Sequence, residues 1–259
     1  CGHMLEYVSD PIHFVWEALF DNLSEYHLFV TCSLAFHLLI YWPLCLALMY
    51  LDITKSPQWL YKYKIQKRKD HGWSSYKKTI TQAIINQVVA YLFAAFVFYT
   101  CDYFDYQMTM SRELPSGFTI FWHLVVFALV EEFGFFYSHY IFHNKFFYSR
   151  IHSFHHRFTA PVGMACIYAH PIEHVVANLA PLILGPVLLR AHVVELWLWL
   201  SIGIINTING HSGYEFPITS SAKPHDYHHE AFIYNYGALG ILDWLHGTSG
   251  KRREGKRNW

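Results

Sequence analysis

Three short stretches decide how this chain is read: H-Y-I-F-H at 139–143, H-S-F-H-H at 152–156 and H-D-Y-H-H at 225–229. They carry eight histidines, His139, His143, His152, His155, His156, His225, His228 and His229, as one HxxxH and two HxxHH motifs. On a helix, positions three and four apart share a face, so each motif is expected to point a comb of imidazoles in one direction. Neutral imidazole is the commonest protein ligand for iron, zinc and copper. One comb suits a single ion or none. Three combs hold more nitrogens than one ion accepts, which predicts two metals. Unpaired histidines close to apolar segments are costly and need partners.

Around these motifs the chain is apolar. Of 259 residues, 53% are hydrophobic, 19% aromatic and only 15% charged. An ordinary soluble domain carries more charge, so a membrane protein whose surface faces lipid is expected. The formal net charge is zero, which offers no basic field for nucleic acid. Five cysteines, Cys1, Cys32, Cys45, Cys101 and Cys166, are spread without a CxxC pair. They suggest neither a disulfide framework nor a zinc ribbon.

The expected organisation is one all-α, membrane-embedded domain over 1–259. Residues 1–26 read as an amphipathic helix on the membrane surface, with Leu5, Val8, Ile12, Val15, Trp16 and Leu19 at helical spacing. Spans are expected at 27–51, 80–101 and 118–138, each near the ~20 residues that cross the ~30 Å hydrocarbon layer. His37, alone on the first span, is read as packed rather than ligating. The loop 55–78 holds eight Lys and Arg against Asp70, so the positive-inside rule makes it cytosolic. The apolar stretch 175–209 reads as a re-entrant or spanning hairpin, out and back. The segments 139–174 and 210–248 then form a cytosolic metal-binding part. Glu131 and Glu132 fall inside the third span, where ionisable groups are either functional or solvated at the bundle's edge.

The donor set limits the chemistry. A catalytic zinc takes three protein ligands, fewer than the chain offers. Soluble di-iron bundles use Glu-x-x-His, and HExxH marks zincins; neither pattern occurs, nor does G-x-S-x-G. An all-histidine metal pair at a membrane face suits dioxygen activation against an unactivated lipid C–H bond, with the protein positioning the lipid and excluding water.

HxxxH, HxxHH and HxxHH in this order, with apolar spans between, resemble the fatty acid hydroxylase/sterol desaturase superfamily of integral-membrane non-haem di-iron oxygenases. K-Y-K-I-Q at 62–66, T-A-P-V-G-M at 159–164, Y-A-H-P at 168–171, H-S-G-Y at 211–214 and I-Y-N-Y-G at 233–237 resemble its C4-methylsterol monooxygenase branch. The resemblance covers roughly residues 60–248. It implies two iron ions, replaceable by zinc in a purified sample, held by His139, His143, His152, His155, His156, His211, His225, His228 and His229, with His170 as a tenth ligand. It also implies an endoplasmic-reticulum enzyme, multi-pass, with its site facing the cytosol and electrons from NAD(P)H through cytochrome b5. The expected substrate is a sterol, oxidised at its C4 methyl group. The alternatives are a sphingolipid or fatty acyl hydroxylase, or a non-catalytic membrane scaffold that keeps the metal site. His174 is read as lying behind the ligands rather than among them, because His170 precedes Pro171 and the two do not share one regular helix. Glu131, Glu132 and Asp226 are candidates for the same supporting layer. Phe121, Trp122, Phe133, Phe135, Phe136 and Tyr137 are the aromatics expected near a lipid pocket.

Overall fold

The computed structural model describes residues 11–69 and 71–252. Its long helices are α2 (His27–Thr54), α4 (Trp73–Tyr103), α5 (Gly117–Phe142), α7 (Pro171–Leu188) and α8 (Val193–His211), each long and apolar enough to cross a membrane. Shorter helices join or flank them: α1 (Pro11–Asn22), α3 (Gln58–Tyr61), α6 (Lys145–Arg150), α9 (Lys223–Ala231) and α10 (Ile241–His246). Among the described residues there are no strands, only isolated bridges at Lys64–Tyr214 and Thr109–His192. The protein is therefore an all-α, multi-pass membrane bundle.

The stretch 175–209 resolves into two full spans, α7 and α8, joined by a turn at 189–192. His192 caps α8: its Nδ1 accepts from the Val194 N–H, while Glu195 accepts from the His192 N–H. The second span begins at Trp73 rather than at 80. Its first turns, with Lys77 and Lys78, extend the helix beyond the apolar window that hydropathy detects. The third span runs on to Phe142 and so carries His139 within the helix. In α1, Trp16 is buried and its Nε1 donates to the Arg112 carbonyl, while Ile12, Phe14 and Val15 stay exposed. Leu5 and Val8 lie outside the described residues.

Small residues set the closest approaches. A Cβ on Gly134 would meet Pro181 at 2.9 Å, and one on Gly185 would meet the Phe127 backbone at 2.9 Å, so α5 and α7 touch nearly backbone to backbone. Beneath the histidine-rich end, the 3-10 turn Gly163–Ile167 is buried among Tyr41, Cys45, Tyr76, Ile204 and Ile208. A Cβ on Gly163 would meet Leu48 Cδ1 at 2.6 Å, so the turn packs closely against α2 only without a side chain there.

The loop after α2 is clipped down by one buried carboxylate. Asp52 accepts from Lys64 Nζ, the Tyr76 hydroxyl and the Tyr214 hydroxyl, each at 2.6 Å, and both ion-pair side chains are about 5% exposed. Removing one partner of a buried pair strands the other charge, at about 3–5 kcal/mol. Asp52→Ala is therefore expected to lower the thermal midpoint in detergent by an amount matching that loss, whereas an unchanged midpoint would show that the clip contributes nothing.

Candidate metal centre

Nine histidines converge in two groups. His139, His143, His152, His156 and His228 form one, and His155, His211, His225 and His229 the other; in each, one ligand atom per residue lies within 4.8 Å of all the rest. The expected combs do not each point one way. His155 and His156 are neighbours that go to different groups, and so are His228 and His229. Neighbouring residues on a helical turn are roughly 100° apart, so an HH pair necessarily faces two ways. The local conformation also differs from a regular comb, because His152–Arg157 is a 3-10 helix.

Backbone carbonyls fix the tautomers. A carbonyl can only accept, so the proton is on Nδ1 in His139 (to Tyr236 O, 2.8 Å), His155 (to Tyr168 O, 3.2 Å), His211 (to Thr207 O, 2.8 Å) and His228 (to Tyr234 O, 2.5 Å). His152 Nδ1 faces Glu173 Oε1 at 2.7 Å. The Nε2 lone pairs of these rings are thereby turned inward. His139 and His152 bring their Nε2 atoms to 3.2 Å, and His155 and His211 do the same. The remaining Nε2 contacts run from 2.8 Å (His143–His152, His211–His225) to 3.3 Å (His143–His156).

Lone pairs this close repel unless a cation lies between them. Two imidazoles bound to one ion at about 2.0–2.1 Å hold their nitrogens about 2.8–3.4 Å apart, between right-angled and tetrahedral geometry, the separation found here. The donor set therefore fits two nitrogen-liking ions such as iron or zinc. The electrostatics agree. Burial holds His143 down to about 2 and His155 to about 4, with neighbouring imidazoles adding to the shift. Burial also lowers His152, His156, His225, His228 and His229. Every one of these rings is neutral at physiological pH, as a ligand must be.

The other candidates sit elsewhere. His170 belongs to neither group; its Nδ1 accepts from the Ile172 N–H and caps α7. None of the four residues expected behind the ligands hydrogen-bonds to a grouped histidine. Glu132 accepts from the Leu239 and Leu242 N–H groups and ties α5 to the start of α10. Asp226 accepts from Gln66 and Arg252, and burial raises its pKa despite them. His174 is buried beside Asn178, and both it and Glu131 line a cavity. The carboxylate that does hold a grouped ring is Glu173, which was not among the residues singled out from the sequence. His37 stacks on Tyr41, as expected of a packed residue.

That cavity lies between α2, α4, α5, α7 and α8, with about 1070 Å³ of empty space when the open solvent at its mouth is included. Its wall is mostly apolar, with Phe29, Leu34, Tyr91, Phe93, Leu182, Leu196 and Leu200. On α8 it runs from Leu196 to Thr207, about 16 Å at 1.5 Å per residue. One end abuts the metal centre: Thr207 supplies the carbonyl for His211, and the Phe135 ring lies 5.1 Å from that of His139. Of the six expected aromatics only Phe135 lines it. Phe121, Trp122 and Phe133 are exposed on the outer surface, and Phe136 and Tyr137 pack against His246.

Fold and site together define a helical membrane protein with a histidine-rich centre fit to hold metal at one end of an apolar cavity. The sequence profile of the fatty acid hydroxylase family matches residues 124–248. Fatty acid hydroxylase domain-containing protein 2 of Homo sapiens is 34% identical over 91% of this chain and 73% of its own length. Methylsterol monooxygenase 2-2 of Arabidopsis thaliana is 30% identical over 92% of each chain. Methylsterol monooxygenase 1 of Gallus gallus is 30% identical over 89% of this chain and 79% of its own length. No solved structure matches. The chain belongs to the fatty acid hydroxylase family, and its resemblance to the methylsterol monooxygenases holds along most of its length.

Two outcomes follow from the geometry. Removing an outer partner of a metal-bound imidazole typically costs 10–100-fold in metal affinity. Glu173→Ala is expected to show a loss of this size in metal titrations, while His170→Ala keeps both ions; equal retention by both variants would contradict the assignment. The pH dependence has a definite sign. The folded-state pKa values of His143 and His155 lie below the usual 6.5. The stability these rings contribute is thus complete above about 6.5 and is lost as pH falls through 6.5 towards 4. Metal content and thermal midpoint, measured from pH 8 to 4, should decline together over that window.

Proposed function

We propose that this protein is a non-haem di-iron monooxygenase that oxidises a lipid C–H bond, with the C4 methyl group of a sterol as the target. The observation that carries the proposal is the junction of nine inward-facing histidines with an apolar cavity at membrane depth. When bound, the two irons would supply dioxygen activation, drawing electrons from NAD(P)H through cytochrome b5. The relatives named methylsterol monooxygenase favour the sterol over a fatty acyl or sphingolipid chain. The localisation that goes with this reading is the endoplasmic reticulum membrane, with the basic loop 55–78 and the histidines on the cytosolic side.

The chain's own residues do the positioning. His139, His143, His152, His156 and His228 would hold one ion, and His155, His211, His225 and His229 the other. Tyr168, Thr207, Tyr234 and Tyr236 keep the ring protons on Nδ1, so that each Nε2 stays free to ligate. The walls of α2, α4, α5, α7 and α8 receive a rigid apolar body and exclude water from it. Phe135 and Thr207 form the end of the cavity nearest the reacting carbon. A fixed body held with one carbon against the metals needs no charged anchor, in keeping with a wall that is largely hydrocarbon.

Microsomes containing the iron-loaded protein, NAD(P)H and a 4-methylsterol should form the 4-hydroxymethyl product in an oxygen-dependent manner, and His211→Ala should reduce this at least 100-fold. Turnover of acyl chains but not of sterols would replace the sterol reading with acyl hydroxylation. No oxygen-dependent turnover of any lipid would leave a non-catalytic scaffold.

A further inference from the structure

Helix α10 and the residues before it present apolar side chains that the bundle does not cover. Trp244 is 78% exposed and Leu245 65%, with Ile241 and Leu239 also outward. Polar surfaces avoid such clusters unless something apolar meets them. The position of α10 identifies what meets it. His246 stacks on Phe136 with ring centroids 5.1 Å apart, and its Nε2 lies 3.0 Å from the Tyr137 hydroxyl. Phe136 and Tyr137 are six and five residues before the end of α5, which places α10 about 8–9 Å back along that helix from its C-terminal end. Interfacial helices lie about 5–10 Å below the headgroup boundary. The exposed face of α10 is also continuous with the lipid-facing side of α5, where Phe133, Tyr140 and Ile141 are exposed.

The sequence that follows adds charge. Lys251, Arg252, Arg253, Lys256 and Arg257 stand against the single Glu254. Arg252 is engaged by Asp226 and Glu230; the sequence 253–257 supplies three further cations. A basic run beside an apolar interfacial helix favours anionic headgroups, at roughly 1 kcal/mol per residue near the surface.

We propose that α10 is a membrane-interface anchor, seated in an anionic leaflet on the metal-bearing face of the bilayer. It has a direct line to the metal centre. Asp243, on its buried side, accepts from the Tyr236 and Gly237 N–H groups at 2.8 and 2.7 Å, and the Tyr236 carbonyl holds His139. The anchor therefore fixes the depth of the loop that orients a grouped imidazole.

The test uses the full chain in nanodiscs of phosphatidylcholine with about 30% phosphatidylserine. The cysteines at 1, 32 and 101 are replaced by alanine, and a fluorescent thiol label is placed at Trp244→Cys or, for comparison, at Ile218→Cys, the latter in a loop where Ile218 is 93% exposed. At position 244 the label should be quenched by lipids spin-labelled near the glycerol, and iodide should quench it at least threefold less than at 218. Equal iodide quenching at both positions would overturn the anchor. Protection from iodide without quenching by the labelled lipid would overturn it too, because it would mean that protein, such as a second copy of the chain, covers α10.

Discussion

Five imidazoles of this centre, His139, His152, His155, His211 and His228, leave Nε2 directed inward and place Nδ1–H on an acceptor where water is scarce, whereas the buried Nδ1 atoms of His156 and His229 have none among the described residues. A bare nitrogen aimed at its equals gains nothing unless a cation joins them, and an unmet N–H in a buried site costs on the order of 1–3 kcal/mol. The acceptors come from widely separated parts of the chain: Thr207 on α8, Tyr168 after the buried 3-10 turn, Tyr234 and Tyr236 between α9 and α10, and Glu173 at the head of α7. Much of the architecture at this end of the bundle serves to deliver those oxygens. Glu132 and Asp243 hold the 235–242 segment through four backbone N–H groups. Asn86, buried in α4, donates to the carbonyls of Ile167 and Ala169, on either side of Tyr168. The clip at Asp52 holds Tyr214, three residues beyond His211.

The cavity and the centre share walls. Moving Phe135 moves the His139 ring beside it, and α8 carries both Thr207 and His211. A lipid entering the cavity would therefore press on residues one helical turn from the histidines. Glu131 also faces this space and has no ion pair or hydrogen bond to another described residue. A carboxyl group so placed is available to a polar group of whatever the cavity holds.

The fold was legible wherever the signal was periodic or long. Runs such as 27–51 and 118–138 need only their apolar length to be read as spans, and the structure has helices over both. Where polar residues continue a helix, as at Trp73–Thr79, hydropathy stops early. The hairpin at 175–209 was readable as out and back because a short polar turn interrupts it. The motif histidines were readable because spacing alone brings them near one another. What could not be read was the sorting of neighbours such as His155 and His156, which depends on rotation about the local axis. The acceptors behind the rings were equally hidden, since any residue can supply a carbonyl. His170 reads two ways from the sequence, because a histidine before proline can cap a helix as readily as it can bind a metal, and here its Nδ1 caps α7. Glu173 escaped because an acid in a helix's first turn is already explained by the helix dipole.

The two HH pairs have a mechanical meaning. Successive Cα atoms are 3.80 Å apart across a trans peptide, and that distance does not stretch. Because His155–His156 and His228–His229 each straddle the two groups, two peptide bonds from different parts of the chain tie one group of histidines to the other. The two halves of the centre are joined through the main chain itself, whatever the helices around them do.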